Sequence, residues 1–293
     1  MVTIPEQLKE VVTFVFIKDH LGRLQPIGTG FFVGVRDEKK RELFHVYFVT
    51  ARHVLLDSQG QYYRELSFRV NKKSGGSEIL EAPLSAPKGI DVLTHRNRAV
   101  DIAVLPLAPN RDIFQFRFVP EDMIATKKRF AEANIKEGDE VLFTGLFTAF
   151  FGAGRNYPIV RFGRVAMLTK ERIPWQGEML ELYLIECQSF GGNSGSPVFF
   201  HLGPIRESGK VTLGSSEFLL AGILKGYFTE PRAIRFAGNL AVPISLENAG
   251  IAAVIPAYQL HEILLSDRPE RARPSRRKYL SVYVPPHSAG PTY

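Results

Sequence analysis

Three features of this sequence predict an all-β fold. Runs of β-branched and aromatic residues recur along most of its length, and stretches rich in glycine and charge separate them. A helical spacing of apolar residues is clear only near residue 260. The runs form two consecutive sets, which suits paired sandwiches or barrels; periodicity alone leaves that choice open.

The first set opens with Val11–Ile17, a β-branched and aromatic run. Gly28–Val35 follows, with glycines that let the backbone bend or be approached closely. The charged stretch Arg36–Glu42 reads as a hairpin loop leading into Phe44–Thr50. Further strands are expected at Glu65–Val70, Asp91–His95 and Ile102–Leu107. Glu137-Gly138-Asp139-Glu140 reads as a turn that opens the second set. That set comprises Val141–Phe147, Ile159–Leu168, Glu181–Cys187, Val198–His201, Phe218–Tyr227 and Gly250–Ile255. Pro256–Leu265 is expected to be helical, with Leu260, Ile263 and Leu264 on one side. Beyond Ser266 the chain is rich in proline and arginine and is expected to be disordered. The expected organisation is therefore residues 1–125, residues 126–265 and a basic tail, 266–293.

Composition narrows the function classes. The chain has 293 residues, enough for one large domain or two modest ones, and an ordinary 45% apolar content. No apolar run approaches the ~18 residues of a membrane helix. The N-terminus lacks a basic region followed by an apolar core and does not read as a signal peptide. Cys187 is the only cysteine, so no internal disulfide is possible; the cytoplasm, a reducing compartment, is the expected location. The net charge of +7 concentrates in the tail, where Arg268, Arg271, Arg273, Arg276, Arg277 and Lys278 outnumber Asp267 and Glu270. Such a run either contacts nucleic acid or another acidic surface, or is simply solvated.

Chemistry enters through three segments in the order His, Asp, Ser: Thr50-Ala51-Arg52-His53, Asp101-Ile102-Ala103-Val104 and Gly192-Asn193-Ser194-Gly195-Ser196-Pro197. A serine hydroxyl is a weak nucleophile until a base takes its proton, and the base needs a carboxylate to hold its tautomer. Asp101 enters an apolar run, Ile102–Leu107, where an unpaired carboxylate would be costly. Gly192 and Gly195 give Ser194 the backbone freedom of a tight turn. Of the other histidines, His20, His95 and His201 lack the small-residue context that precedes His53, His45 lies inside an expected strand, His261 on the expected helix and His287 in the tail. A nucleophile elbow of the α/β-hydrolase kind is excluded: Ser196 stands where that pattern needs glycine, and no alternation of helices and strands surrounds it. Cys187 has neither a base nor metal-ligand spacing beside it and reads as a buried thiol.

On these motifs the sequence resembles the trypsin-like (chymotrypsin-fold) serine proteases, most closely their bacterial, disulfide-free members. The intervals of 48 residues from His53 to Asp101 and 93 from Asp101 to Ser194 suit that family. The resemblance covers Phe14–Leu265 in outline and is specific only around the motifs. It implies two six-stranded antiparallel β-barrels, a C-terminal helix, and hydrolysis of peptide bonds through an acyl-enzyme. His53 would be the base, Asp101 its orienting carboxylate, Ser194 the nucleophile, and the N–H groups of Gly192 and Ser194 the oxyanion hole. Gln188 would form the base of the primary specificity pocket, Ser189 and Phe190 one wall, and Lys225, Gly226 and Tyr227 the opposite wall. Gln188 is neutral, so no strong preference for lysine or arginine is expected. The substrate would be a protein or peptide; no metal, organic cofactor or membrane span is implied. Two alternatives remain at this level: a catalytically silent binding module, and a protease that an activating protein partner switches on. Ser196 replaces the usual second glycine, and Arg52 stands where a small or polar residue is common. The aromatic, glycine-rich loop Phe147–Tyr157 is open to three readings: a mobile cover of the cleft, a partner patch, or core packing.

Overall fold

The computed structural model describes residues 4–84, 89–203, 205–207, 210–211, 217–233, 244–266 and 281–283. Apart from 281–283, the tail beyond Ser266 lies outside the described residues, and with it the expectation of disorder there.

The first half contributes eight of the nine strands of one sheet. Its strands are β1 (Val12–Lys18), β2 (Leu24–Arg36), β3 (Leu43–Ala51), β4 (Glu65–Asn71), β5 (Ser77–Pro83), β6 (Leu93–Thr94), β7 (Ile102–Leu105) and β8 (Val119–Pro120). The hydrogen-bonded path runs β5-β4-β1-β2-β3-β7-β6, with β8 parallel on β2. Its core is aromatic: Phe14, Phe31, Phe32 and Phe48 are fully buried, each worth roughly 1.5–3 kcal/mol of transfer from water.

The second half closes. Strands β9 (Glu140–Gly145), β10 (Ile159–Leu168), β11 (Ile173–Trp175), β12 (Glu178–Leu180), β13 (Tyr183–Glu186) and β14 (Pro197–Leu202) are followed by the short pair β15 (Ile205–Glu207) and β16 (Lys210–Val211). The long strands β17 (Glu217–Ala233) and β18 (Ile244–Pro256) complete a closed six-stranded barrel in the order β10-β13-β18-β17-β14-β9. Closure leaves no free edges, which an antiparallel sheet otherwise has to protect. The hairpin β11–β12 stands off the barrel. Helix α1 (Gln7–Glu10) precedes β1, and α2 (Lys127–Glu132) links the halves, its first turn capped by the Thr126 hydroxyl accepting from the Arg129 N–H at 3.2 Å. Helix α3 (Ala257–Ser266) follows β18 and buries Leu260, Ile263 and Leu264, the face its sequence spacing predicts. A last strand, β19 (Ser281–Tyr283), pairs with β3.

Sequence and structure differ in instructive places. Strand β5 and the hairpin β11–β12 were not anticipated from the sequence. β5 lies at the sheet edge with Glu78 and Glu81 on it, so it lacks the apolar run of a central strand. The strand expected over Asp91–His95 shrinks to Leu93–Thr94.

The two halves are sewn together where the site lies. Thr29, on β2, donates its N–H to the Ser194 carbonyl at 2.9 Å and its hydroxyl to the Gly192 carbonyl at 2.8 Å. The same hydroxyl accepts from the Leu146 N–H at 2.9 Å.

Candidate active site

Strand β3 delivers His53. Its last residue, Ala51, pairs with Ile102 at the start of β7, and a short 3₁₀ turn, Arg52–Leu55, follows at once. The pairing of β3 with β7 therefore sets His53 beside the residue that precedes β7, which is Asp101. Two bonds join them: Asp101 Oδ1 accepts from the His53 backbone N–H at 2.8 Å, and Oδ2 meets the imidazole Nδ1 at 2.6 Å. The first fixes the turn, the second the ring. Asp101 is 4% exposed, whereas the His53 side chain is 44% exposed and faces the cleft. Burial by itself would raise the Asp101 carboxyl. The hydrogen bond and charge of His53, followed by those of Lys225, outweigh it and hold the group at about 2.

The contact of Lys225 with Asp101 was not expected from the sequence. Its Nζ reaches Asp101 Oδ2 at 2.6 Å, so one carboxylate oxygen serves both the imidazole and an ammonium. The β17–β18 register shifts between Leu224 and Gly226, placing Lys225 at an irregularity of the ladder. The Lys225 Nζ lies 5.8 Å from the Trp175 ring, which the β11–β12 hairpin holds over this part of β17.

Ser194 sits in a turn made by its neighbours. Gly192 has φ 90° and Gly195 φ 86°, conformations that side chains oppose. At Gly195 space is also lacking, since a Cβ would come within 2.0 Å of the Thr29 carbonyl oxygen. Buried Asn193 fastens the loop from inside: its Nδ2 donates to the Leu146 carbonyl at 2.6 Å and its Oδ1 accepts from the Phe190 N–H at 2.8 Å. The Ser194 hydroxyl donates to the Lys225 carbonyl at 3.1 Å, not to His53. Among the described residues, the N–H groups of Gly192 and Ser194 have no protein acceptor.

The residues expected around the specificity pocket divide. Gln188 is exposed, Phe190 is 47% exposed, and Ser189 is fully buried with its hydroxyl unpartnered. The Ser189 carbonyl accepts from Asn248 Nδ2 at 2.6 Å, which pins this segment to β18. Gly226 and Tyr227 lie along β17 beside Trp175 and Phe228, whose rings meet edge-on at 4.8 Å. Lys225, expected as part of a wall, instead turns its side chain to Asp101 and its carbonyl to Ser194.

A model of the trypsin-like peptidase domain matches residues 28–203, a stretch that includes His53, Asp101 and Ser194. The chain belongs to the trypsin-like peptidase family. No curated protein matches it. Solved structures similar to this peptidase chain include the apo protease domain of MamO from Magnetospirillum magneticum. That domain is 16% identical, with 87% of this chain and 96% of that one covered and a TM-score of 0.48. Another is an inactive serine-to-alanine mutant of Rv3671c from M. tuberculosis H37Rv, at 15% identity, 88% coverage of each chain and a TM-score of 0.39.

Other parts of the peptidase domain take structural roles. Cys187 is buried, which pushes its thiol up to about 11, and its Sγ donates to the Phe162 carbonyl at 3.2 Å. Among the described residues no three His, Cys, Asp or Glu side chains gather as a metal site requires, and no helix is long and apolar enough to cross a membrane. The loop Phe147–Tyr157 is anchored by buried Arg69 of β4. That guanidinium donates to the carbonyls of Phe151, Gly152 and Arg155 and to Asn156 Oδ1, at 2.6 to 3.3 Å. Phe151 packs on Phe16 at 5.7 Å, while Phe150 and Tyr157 are exposed. Arg69 lies mid-strand in an apolar run, and a buried arginine needs several acceptors; that requirement was the available clue to the loop's position.

Proposed function

We propose that this peptidase domain is a serine endopeptidase that hydrolyses peptide bonds through an acyl-enzyme. His53 takes the proton of Ser194 as the hydroxyl attacks and returns it to the leaving amine; Asp101 holds the imidazole and stabilises the imidazolium. The N–H groups of Gly192 and Ser194 receive the oxyanion. The observation that carries this reading is the double grip of Asp101 on His53, through Nδ1 at 2.6 Å and the backbone N–H at 2.8 Å. The two unpaired N–H groups at the serine support it. The cytoplasm is the proposed location, on the single, buried cysteine.

One observation favours a resting form that must be switched on. The Ser194 hydroxyl is engaged by the Lys225 carbonyl, and the Lys225 ammonium occupies the oxygen that His53 uses. Activation requires the serine hydroxyl to leave that carbonyl for His53, a step that a peptide substrate or an activating protein partner can supply. Labelling with a serine-directed fluorophosphonate tests both readings. Labelling that disappears in Ser194→Ala supports the enzyme. Labelling that rises severalfold when a peptide substrate or partner is present supports the switched form. No labelling under any of these conditions sinks both and leaves a silent binding module.

A further inference from the structure

Arg161 is a cation on the inside of a barrel. Strand alternation sets its direction. On β10, Phe162 and Arg164 face outward and are exposed, whereas Val165 is buried in the barrel core. Gly163 faces inward as well, since a Cβ there would meet that of Cys187 at 2.8 Å. Arg161 shares this inward face. Its cross-strand partner is fully buried Phe143, which in turn pairs with Val198, close after the Ser194 turn. The guanidinium therefore emerges at the end of the barrel that carries the nucleophile. Its Cζ lies 5.0 Å from the centre of the Phe190 ring, and its charge acts on the Cys187 thiol. Cys187 and Phe190 flank Gln188 and Ser189, so the cation adjoins the segment that lines the specificity pocket.

Among the described residues the Arg161 guanidinium has no counter-charge. Its Nε is buried without a hydrogen-bond partner. In the adjoining segment the Ser189 hydroxyl is also buried and unpartnered. Buried donors without acceptors are costly, and a planar guanidinium fork matches a carboxylate with two parallel bonds. An incoming carboxylate would neutralise the guanidinium, whereas a lysine or arginine side chain would meet a like charge.

Building on the serine endopeptidase reading, we propose that Arg161 determines specificity and that the domain cleaves after glutamate or aspartate. The guanidinium receives the substrate carboxylate. The test uses the full chain and peptides that differ only at the residue before the scissile bond: Glu, Asp, Gln, Leu or Lys. Glu and Asp should exceed Gln in kcat/KM by on the order of a hundredfold, the scale of one well-paired buried charge. Arg161→Gln should erase that ratio while fluorophosphonate labelling of Ser194 persists, and Arg161→Lys should retain part of it. A second measurement does not need turnover. Acetylated tetrapeptides ending in Glu should bind the Ser194→Ala protein at least tenfold more tightly than those ending in Gln, and Arg161→Gln should abolish the difference. Efficient labelling and cleavage with no acidic preference would overturn the specificity and spare the peptidase reading. Absent labelling together with selective binding would do the reverse for catalysis, and equal binding of the Glu and Gln peptides would overturn the role of Arg161.

Discussion

Replacing Lys225 by methionine removes the ammonium from Asp101 and keeps most of the side-chain volume. Lys225 Nζ and His53 Nδ1 each lie 2.6 Å from the same oxygen, Asp101 Oδ2. The two nitrogens are thus within about 5 Å, where two unit charges repel by about 3 kcal/mol at an effective dielectric near 20 and about 1 kcal/mol in water. The His53 side chain is 44% exposed, so solvent screening favours the lower end. About 1.4 kcal/mol corresponds to one pH unit. The ammonium opposes formation of the imidazolium; without it, the acidic limb of the pH–rate profile should move up by about one unit. The assay is kcat/KM on a peptide substrate from about pH 5 to 9, for the native protein, Lys225→Met and Lys225→Arg. The arginine variant keeps the charge and should keep the native limb. A limb that stays put in Lys225→Met, or moves down, would refute the reasoning. It would mean that Lys225 leaves Asp101 before His53 takes up its proton.

Three further outcomes follow from the same geometry. Asp101 is held at about 2 against an ordinary 3.8, so its charged form adds stability that is fully present above the unfolded value and is lost as pH falls toward 2; in Asp101→Asn, melting temperature should vary less with pH between about 4 and 2, and kcat should fall by roughly 10⁴ through loss of the tautomer lock. Arg69→Met leaves the carbonyls of Phe151, Gly152 and Arg155 without their donor; unfolding in urea should show a loss of about 3–5 kcal/mol, and limited proteolysis should cut within Phe147–Tyr157. Burial raises the Cys187 thiol to about 11, so iodoacetamide at about pH 8 should leave the native chain unmodified and alkylate it fully once unfolded, as mass spectrometry would read.

The legible parts of this molecule were those whose cause is local. A β-branched run such as Ile102–Leu105 makes a strand wherever it is buried, and the Gly192–Gly195 turn needs its glycines for φ values of 90° and 86°. His53 and Asp101 were paired through the resemblance of their motifs to the trypsin-like proteases, since only the β3–β7 register brings their strands side by side. The contacts of Lys225, Asn193, Asn248 and Arg161 were hidden because each reaches across the fold. Lys225 reads as a strand residue, and only the register shift after Leu224 turns its side chain toward a carboxylate 124 residues away. Arg161 reads as a polar position in an alternating strand; barrel closure decides that its face is the inside.

Charge and backbone meet at one place on β17. The Lys225 carbonyl holds the Ser194 hydroxyl, and the Lys225 ammonium holds Asp101, so one residue restrains both ends of the proposed proton path. A peptide bound along this strand would present its own N–H groups to β17, as β-addition requires. The Lys225 carbonyl would then have a competing donor, which favours release of the serine hydroxyl toward His53. Binding and activation would share the same few atoms. In that case a peptide that fills the strand edge without being cleaved should accelerate fluorophosphonate labelling of Ser194. If it instead protects Ser194 in proportion to its occupancy, the edge and the serine are simply blocked together, and the resting bond to Lys225 carries no regulatory weight.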